Sequence, residues 1–229
     1  MKLLALTLAP LALAGEPFAD TAHPGGAQRI PGPVFCAYYD KGGEGVAYHD
    51  SDASNHGSGK LNPANGTYLH DFRKDEGLDV SYTKQVPDLD STSNKVVPPL
   101  NLLYVGWNEV GEWFNITVET AEAGSYVADI FYTAHNDARI SFSVDGGPAV
   151  PCNITSTFDA ADEIPWRQWH HWNVAPDAVT LGLPKGLSVI KILNVEGGNI
   201  NLATLAFRRS GTHRTGPAIT EFKTALPTP

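Results

Sequence analysis

From residue 125 to residue 207 the chain repeats one pattern: short apolar or alternating runs, each broken by turn residues. Residues 125–133 (SYVADIFYT) are aromatic and β-branched, the side chains that fit a pleated sheet. Residues 139–144 (RISFSV) alternate cleanly, with Ile140, Phe142 and Val144 on one face, and run into Asp145-Gly146-Gly147, a tight-turn signal. Residues 179–183 meet Pro184-Lys185-Gly186, residues 187–195 resume as a strand, and residues 201–207 close the series. No twelve-residue window carries the apolar stripe of a helix. Strands this closely spaced predict an all-β sandwich.

An apolar fraction of 42% over 229 residues is enough for a sizeable core and excludes a wholly disordered chain. Sixteen basic residues against twenty-five acidic ones leave a net charge of −9. The chain therefore lacks the basic footprint of a nucleic-acid binder and the basic face that holds a protein on anionic membrane. At the start, Lys2, the apolar run of residues 3–14 and the small-x-small triplet Ala12-Leu13-Ala14 form a secretory signal pattern. That run is too short for a permanent membrane span. The protein is expected to be secreted, periplasmic or at the cell surface. Four segments follow: a signal peptide at 1–14, a Pro/Gly-rich leader at 15–32, a sandwich at 33–209 and a flexible tail at 210–229. Cys36 and Cys152 could pair in an oxidising compartment, the alternative being two buried thiols.

The interval 41–103 is long, polar and rich in Gly, Asp, Asn, Ser and Pro. Loops of this length are usually functional, and this loop-rich insertion suits a rim or lid over the sandwich. Three of the five tryptophans, Trp166, Trp169 and Trp172, fall within seven residues. In a strand Trp169 and Trp172 cannot share a face, so one is expected in the core. Trp166 follows Pro165 and belongs to a loop, where an indole can stack on the C–H face of a pyranose or else fill the core.

Residues 43–52 (GEGVAYHDSD) and 75–80 (DEGLDV), then 104–113 (YVGWNEVGEW), resemble in order the family 6 carbohydrate-binding modules and their family 35 relatives. Ala123-Gly124-Ser125-Tyr126, Trp166-Arg167-Gln168-Trp169, Leu183-Pro184-Lys185-Gly186 and Asn201-Leu202 continue the match, which spans about residues 34–207. The resemblance implies a jelly-roll β-sandwich that binds a polysaccharide or oligosaccharide without cutting it. It implies a clamp of two aromatics and a hydrogen-bonding Asn in a cleft among the loops. Carried onto this sequence, the clamp falls on Trp107 and Trp166, and the amide on Asn201, with Asn199 as its alternative. Glu76 and Asp79 would add polar contacts. The family's structural calcium site uses Glu-Ala-Glu in the first strand and an Asp after Asn-Leu. Here Cys36-Ala37-Tyr38 and Ala203 stand in those places, so that site is lost and no cofactor is expected. Asp40, Glu44, Asp50 and Asp52 offer a different calcium site in the long loop, or a solvated acidic turn.

Two other readings compete. A glycoside-active enzyme would use paired carboxylates such as Glu109 and Glu112, or a base among His49, His56, His170 and His171. An adhesion or structural protein would use the sandwich as a contact surface. No nucleophile elbow or phosphate loop supports catalysis, so a noncatalytic binder is expected, with no partner enzyme evident from the sequence.

Overall fold

The computed structural model describes residues 15–212, to which every structural statement below refers. The expected signal peptide at 1–14 and most of the expected tail, 213–229, lie outside the described residues. Twelve strands follow one another: β1 (Gln28–Ile30), β2 (Gly32–Phe35), β3 (Tyr48–His49), β4 (Val80–Tyr82), β5 (Leu103–Asn108), β6 (Trp113–Thr120), β7 (Gly124–Ala134), β8 (Ala138–Val144), β9 (Val150–Ile154), β10 (Asn173–Leu183), β11 (Gly186–Glu196) and β12 (Ile200–Arg209). One short α-helix, α1 (Tyr68–Asp71), and three other helical turns, Cys36–Tyr38, Gln85–Leu89 and Pro165–Arg167, interrupt them. They form two six-stranded sheets. The first runs β1-β6-β11-β8-β9, with β3 also on β6. The second runs β10-β7-β12-β5-β4, with β2 also on β12. The fold is the all-β sandwich expected from the alternating runs.

Between the sheets lies one core. Phe114, Ile116 and Val118 of β6, Ile140 and Phe142 of β8, and Ile190 and Ile192 of β11 face Val105 of β5, Ile130 and Tyr132 of β7, and Leu202 and Leu205 of β12. The β8–β9 hairpin turns where the sequence signals it. Asp145 and Gly146 take φ of 50° and 69°, and the Gly147 N–H donates to Val144 O at 2.8 Å.

The central strands of the second sheet are buried on both faces. Tyr104, Phe131 and Ala203 alternate with the inward residues and meet Trp172 and Leu102 in a second, smaller cluster on the outer face. This is why β7 reads as a nearly unbroken apolar run and not as a strict alternation: from Tyr126 to Ala134 every residue is buried. The layer over that outer face comes from two segments, residues 84–100 and residues 155–172.

The sandwich begins before residue 33. Residues 28–30 pair in parallel with β6, and Phe18 (6% exposed) packs into the main core. The Pro/Gly content that suggests a leader suits edge strands instead: β2 pairs with β12 alone, so Pro33 needs no ladder on its other side. Cys36 and Cys152 are separate buried thiols and no disulfide joins them. Burial pushes the Cys152 thiol up to about 11 and the Cys36 thiol higher still.

Candidate functional site

Strand β5 ends in a bulge. Val105 pairs with Leu202 and Asn108 with Ile200, so Gly106 and Trp107 together oppose Asn201 alone. Trp107 takes φ of 50°, unusual for a residue with a bulky side chain. The bulge draws the Trp107 N–H out of the ladder, and that N–H donates to Asn201 Oδ1 at 2.9 Å. Gly106 leaves room for this contact, because a Cβ there would press to 3.1 Å on both Asn201 Oδ1 and the Tyr104 ring. The bulge thus turns the Trp107 side chain toward one cavity of about 620 Å³.

That cavity is walled by Trp107, Trp166 and Trp169, with Tyr104 and His170 also lining it. Leu61, Lys84, Pro87 and Asp88 come from the long insertion, and Asn199 comes from the β11–β12 loop. Its size and aromatic lining, with a few polar groups, fit a small-ligand site. Trp166 stands on a short 3-10 turn, Pro165–Arg167, with Pro165 opening the turn, and is 57% exposed. Arg167 anchors this turn by donating to Asp162 Oδ2 at 2.7 Å. The Trp166 and Trp169 rings flank the His170 imidazole at centroid distances of 6.4 and 5.6 Å.

A buried polar chain lies beneath. With Asn201 Oδ1 committed to Trp107, its Nδ2 donates to Thr133 Oγ1 at 2.8 Å and to His170 Nδ1 at 2.9 Å. His170 then donates from Nε2 to Asp88 Oδ1 at 2.5 Å. Burial pushes the Asp88 carboxyl up, but donors from His170, the Lys84 N–H and Trp172 Nε1 outweigh it and hold it below the usual range.

The structure distributes the expected residues unevenly. Trp107, Trp166 and Asn199 share the cavity. Asn201 does not reach it: the residue is fully buried under His170, and its amide positions Trp107 instead. Glu76 lies elsewhere, accepting from Tyr39 Oη at 3.1 Å and from Arg73 Nε at 2.9 Å and Nη2 at 2.7 Å. Asp79 is buried and accepts the His56 N–H, while its carbonyl accepts the Gly106 N–H at 3.0 Å. It therefore supports the loop below Trp107. There a Cβ on Gly57 would come within 2.0 Å of Val80 O and 3.3 Å of the Trp107 ring. Burial, with like charge from Asp50 and Glu112, pushes the Asp79 carboxyl up to about 7 despite the His56 bond.

Trp169 was not singled out from the sequence as a site residue, although it lines the cavity. The available signal was the three-residue spacing of 166, 169 and 172. The strand reading misled, because β10 starts only at Asn173. Trp172 is the core member, 0% exposed.

Cys36, Ala37, Tyr38 and Ala203 are buried and carry no carboxylate. In the long loop, Asp40 accepts from Thr117 N and Oγ1, Glu44 from Asp50 N, and Asp52 from Ser54 N. Among the described residues no three His, Cys, Asp or Glu side chains converge as a metal site. Glu112 is buried and accepts from Ser51 N at 3.0 Å and Glu109 N at 2.8 Å, a structural clasp between two loops. His171 is buried, 3.0 Å from Ser91 Oγ. A second cavity of about 450 Å³ lies beside Phe18, His23, Phe35 and Tyr38, and none of the expected site residues lines it.

No family model matches the chain, and no curated protein matches it. Solved structures do. The fold resembles carbohydrate-binding modules of families 6 and 35. The module CsCBM6-3 from Clostridium stercorarium, solved with cellobiose, is 10% identical over 81% of this chain and 99% of its own, with a TM-score of 0.48. A family 35 module from Clostridium thermocellum is 23% identical over 52% of this chain and 86% of its own, at 0.38. The module CBM6cm-2 of lichenase 5A from Cellvibrio mixtus, solved with cellotriose, is 19% identical over 60% and 88%, at 0.41.

Proposed function

We propose that this protein is an exported, noncatalytic carbohydrate-binding protein that grips a poly- or oligosaccharide between Trp107 and Trp166. One observation carries the reading: two indoles, one from the bulge of β5 and one from the turn Pro165–Arg167, line a single cavity, the second with most of its surface in solvent. Sugar C–H groups pack on indole faces, while the hydroxyls require directed polar partners. Asn199 on the cavity wall supplies an amide of that kind, whereas Lys84 beside it commits its ammonium to Asn62 Oδ1, Ser81 Oγ and Tyr82 O. Trp169 adds a third indole to the lining. Asp79 and Asn201 act from beneath, holding the loop and the bulge that aim Trp107.

The competing readings are less well supported. Glu112 is clasped by two backbone N–H groups, and neither it nor Glu109 lines the cavity as a carboxylate pair flanking a sugar would. A protein-contact surface would favour a flat apolar patch over a concave cavity.

Affinity gel electrophoresis of the full chain in soluble β-glucan, xylan, mannan, galactan, arabinan and pectin tests the reading. We expect retardation in at least one gel. Trp166→Ala should weaken that binding by about 1–3 kcal/mol, the scale of one aromatic ring stacked on a planar partner, without altering the unfolding midpoint. Unchanged mobility in all gels, or a Trp166→Ala variant retarded like the parent, overturns it.

A further inference from the structure

The aromatic wall of the cavity does not stop at Trp169. His135 lies 6.0 Å from the Trp169 ring, and Phe158 lies 6.0 Å beyond His135, both tilted. With Trp166 and His170 they form a continuous row of five rings, spaced between 5.6 and 6.4 Å. Phe158 closes the row at 48% exposure.

The outer end of the row is built, not loose. Thr157 ties the segment to β7: its N–H donates to Ala134 O at 2.8 Å, and its Oγ1 accepts the Ala134 N–H at 3.0 Å. The same hydroxyl reaches Trp169 O at 2.5 Å, which joins the two halves of the row. Ser156 Oγ donates to His135 O at 2.7 Å and accepts the Phe158 N–H at 3.0 Å. The His135 N–H donates to Asn199 O at 3.1 Å, so the same residue that lines the cavity also braces the platform. Such pre-organisation lowers the ordering cost of binding. A polar group stands near the row: Glu109, whose carboxylate accepts from the Asn199 backbone.

We propose that the His135–Phe158 edge is an additional subsite that receives a further sugar of the same chain, so that the protein selects an extended oligosaccharide over a mono- or disaccharide. This rests on the clamp reading given above. The Trp107–Trp166 cavity holds the first sugars, and the chain leaves it past Trp169 and Asn199 across His135 and Phe158.

Calorimetric titration of the full chain tests this, with oligosaccharides of two to six units prepared by partial hydrolysis of the most strongly bound polysaccharide of the panel. For the parent, affinity should rise about tenfold from two units to four or more, the scale of one added stacked ring. Phe158→Ala should abolish that rise while leaving disaccharide affinity unchanged, and Phe158→Trp should restore it. A parent with no length dependence overturns the subsite. So does a Phe158→Ala variant that matches the parent at every length, or one that loses equally at all lengths. Trp166→Ala separates the two claims. If it weakens every ligand while Phe158→Ala weakens none, only the subsite fails. If it weakens none, the clamp fails and the subsite with it.

Discussion

At the scale of the residue, one buried amide governs a surface ring. Asn201 accepts the Trp107 N–H, donates to Thr133 and donates to His170, using both its donors and one acceptor site without touching solvent. Asn201→Ala would orphan the Trp107 N–H in a buried bulge and leave His170 Nδ1 without a donor. Unsatisfied buried groups of this kind cost about 1–3 kcal/mol. Urea denaturation should show a loss of that size, and saccharide affinity should fall with it because Trp107 loses its aim. Trp166→Ala should lower affinity alone. The contrast separates a residue that positions from one that touches ligand.

At the scale of the element, the loop of residues 50–58 is held against the sandwich by carboxylates that burial keeps reluctant to ionise. Burial and its neighbours push Asp79 up to about 7, and burial pushes Asp50 up to about 6 even though Asp52 N–H donates to it. Asp50 Oδ2 is buried without a partner, consistent with a carboxyl that keeps its proton. The folded state therefore binds more protons than the unfolded chain, whose carboxyls titrate near 3.8. Stability from these groups is greatest below that value and is lost as pH rises through the folded pKa values. Asp79→Asn keeps an acceptor for the His56 N–H and removes the charge. The melting temperature of this variant, measured from about pH 4 to about pH 8, should exceed the parent's by a margin that grows with pH. A constant offset would refute the assignment.

At the scale of the whole molecule, the two sheets are sealed at one end by a segment that composition disguises. Phe18 stacks on Tyr38 at 5.3 Å and meets Phe72 at 5.5 Å, with the Arg73 guanidinium 5.1 Å from its ring centroid. Phe18→Ala should cost about 3–5 kcal/mol, the usual range for an emptied aromatic core site, read from the denaturant midpoint. A surface leader would give almost no change.

Strand β8 was legible because a two-residue period survives in the sequence where one face of a sheet is buried, and β7, β11 and β12 because their apolar and β-branched runs are bounded by turn residues. The turns between them were legible because few residues adopt positive φ. Strands β1 and β2, three and four residues long with Pro33 among them, carry too little pattern to be read. Of the site, Trp107 and Trp166 were legible as aromatics beside turn residues. Asn201 was legible only as a polar residue in a strand. Whether it met ligand or backbone depended on residues 155–172 folding across the outer face of the second sheet, a contact between positions far apart in the chain. Burial of both faces likewise decided which tryptophan of the 166–172 cluster became core. Local side-chain chemistry and periodicity thus determined that this chain forms a strand-built sandwich with indoles near its loops. The tertiary structure alone decided which indoles share a cavity and which polar groups hold them there, because burial and hydrogen-bond partners are properties of the assembled layers.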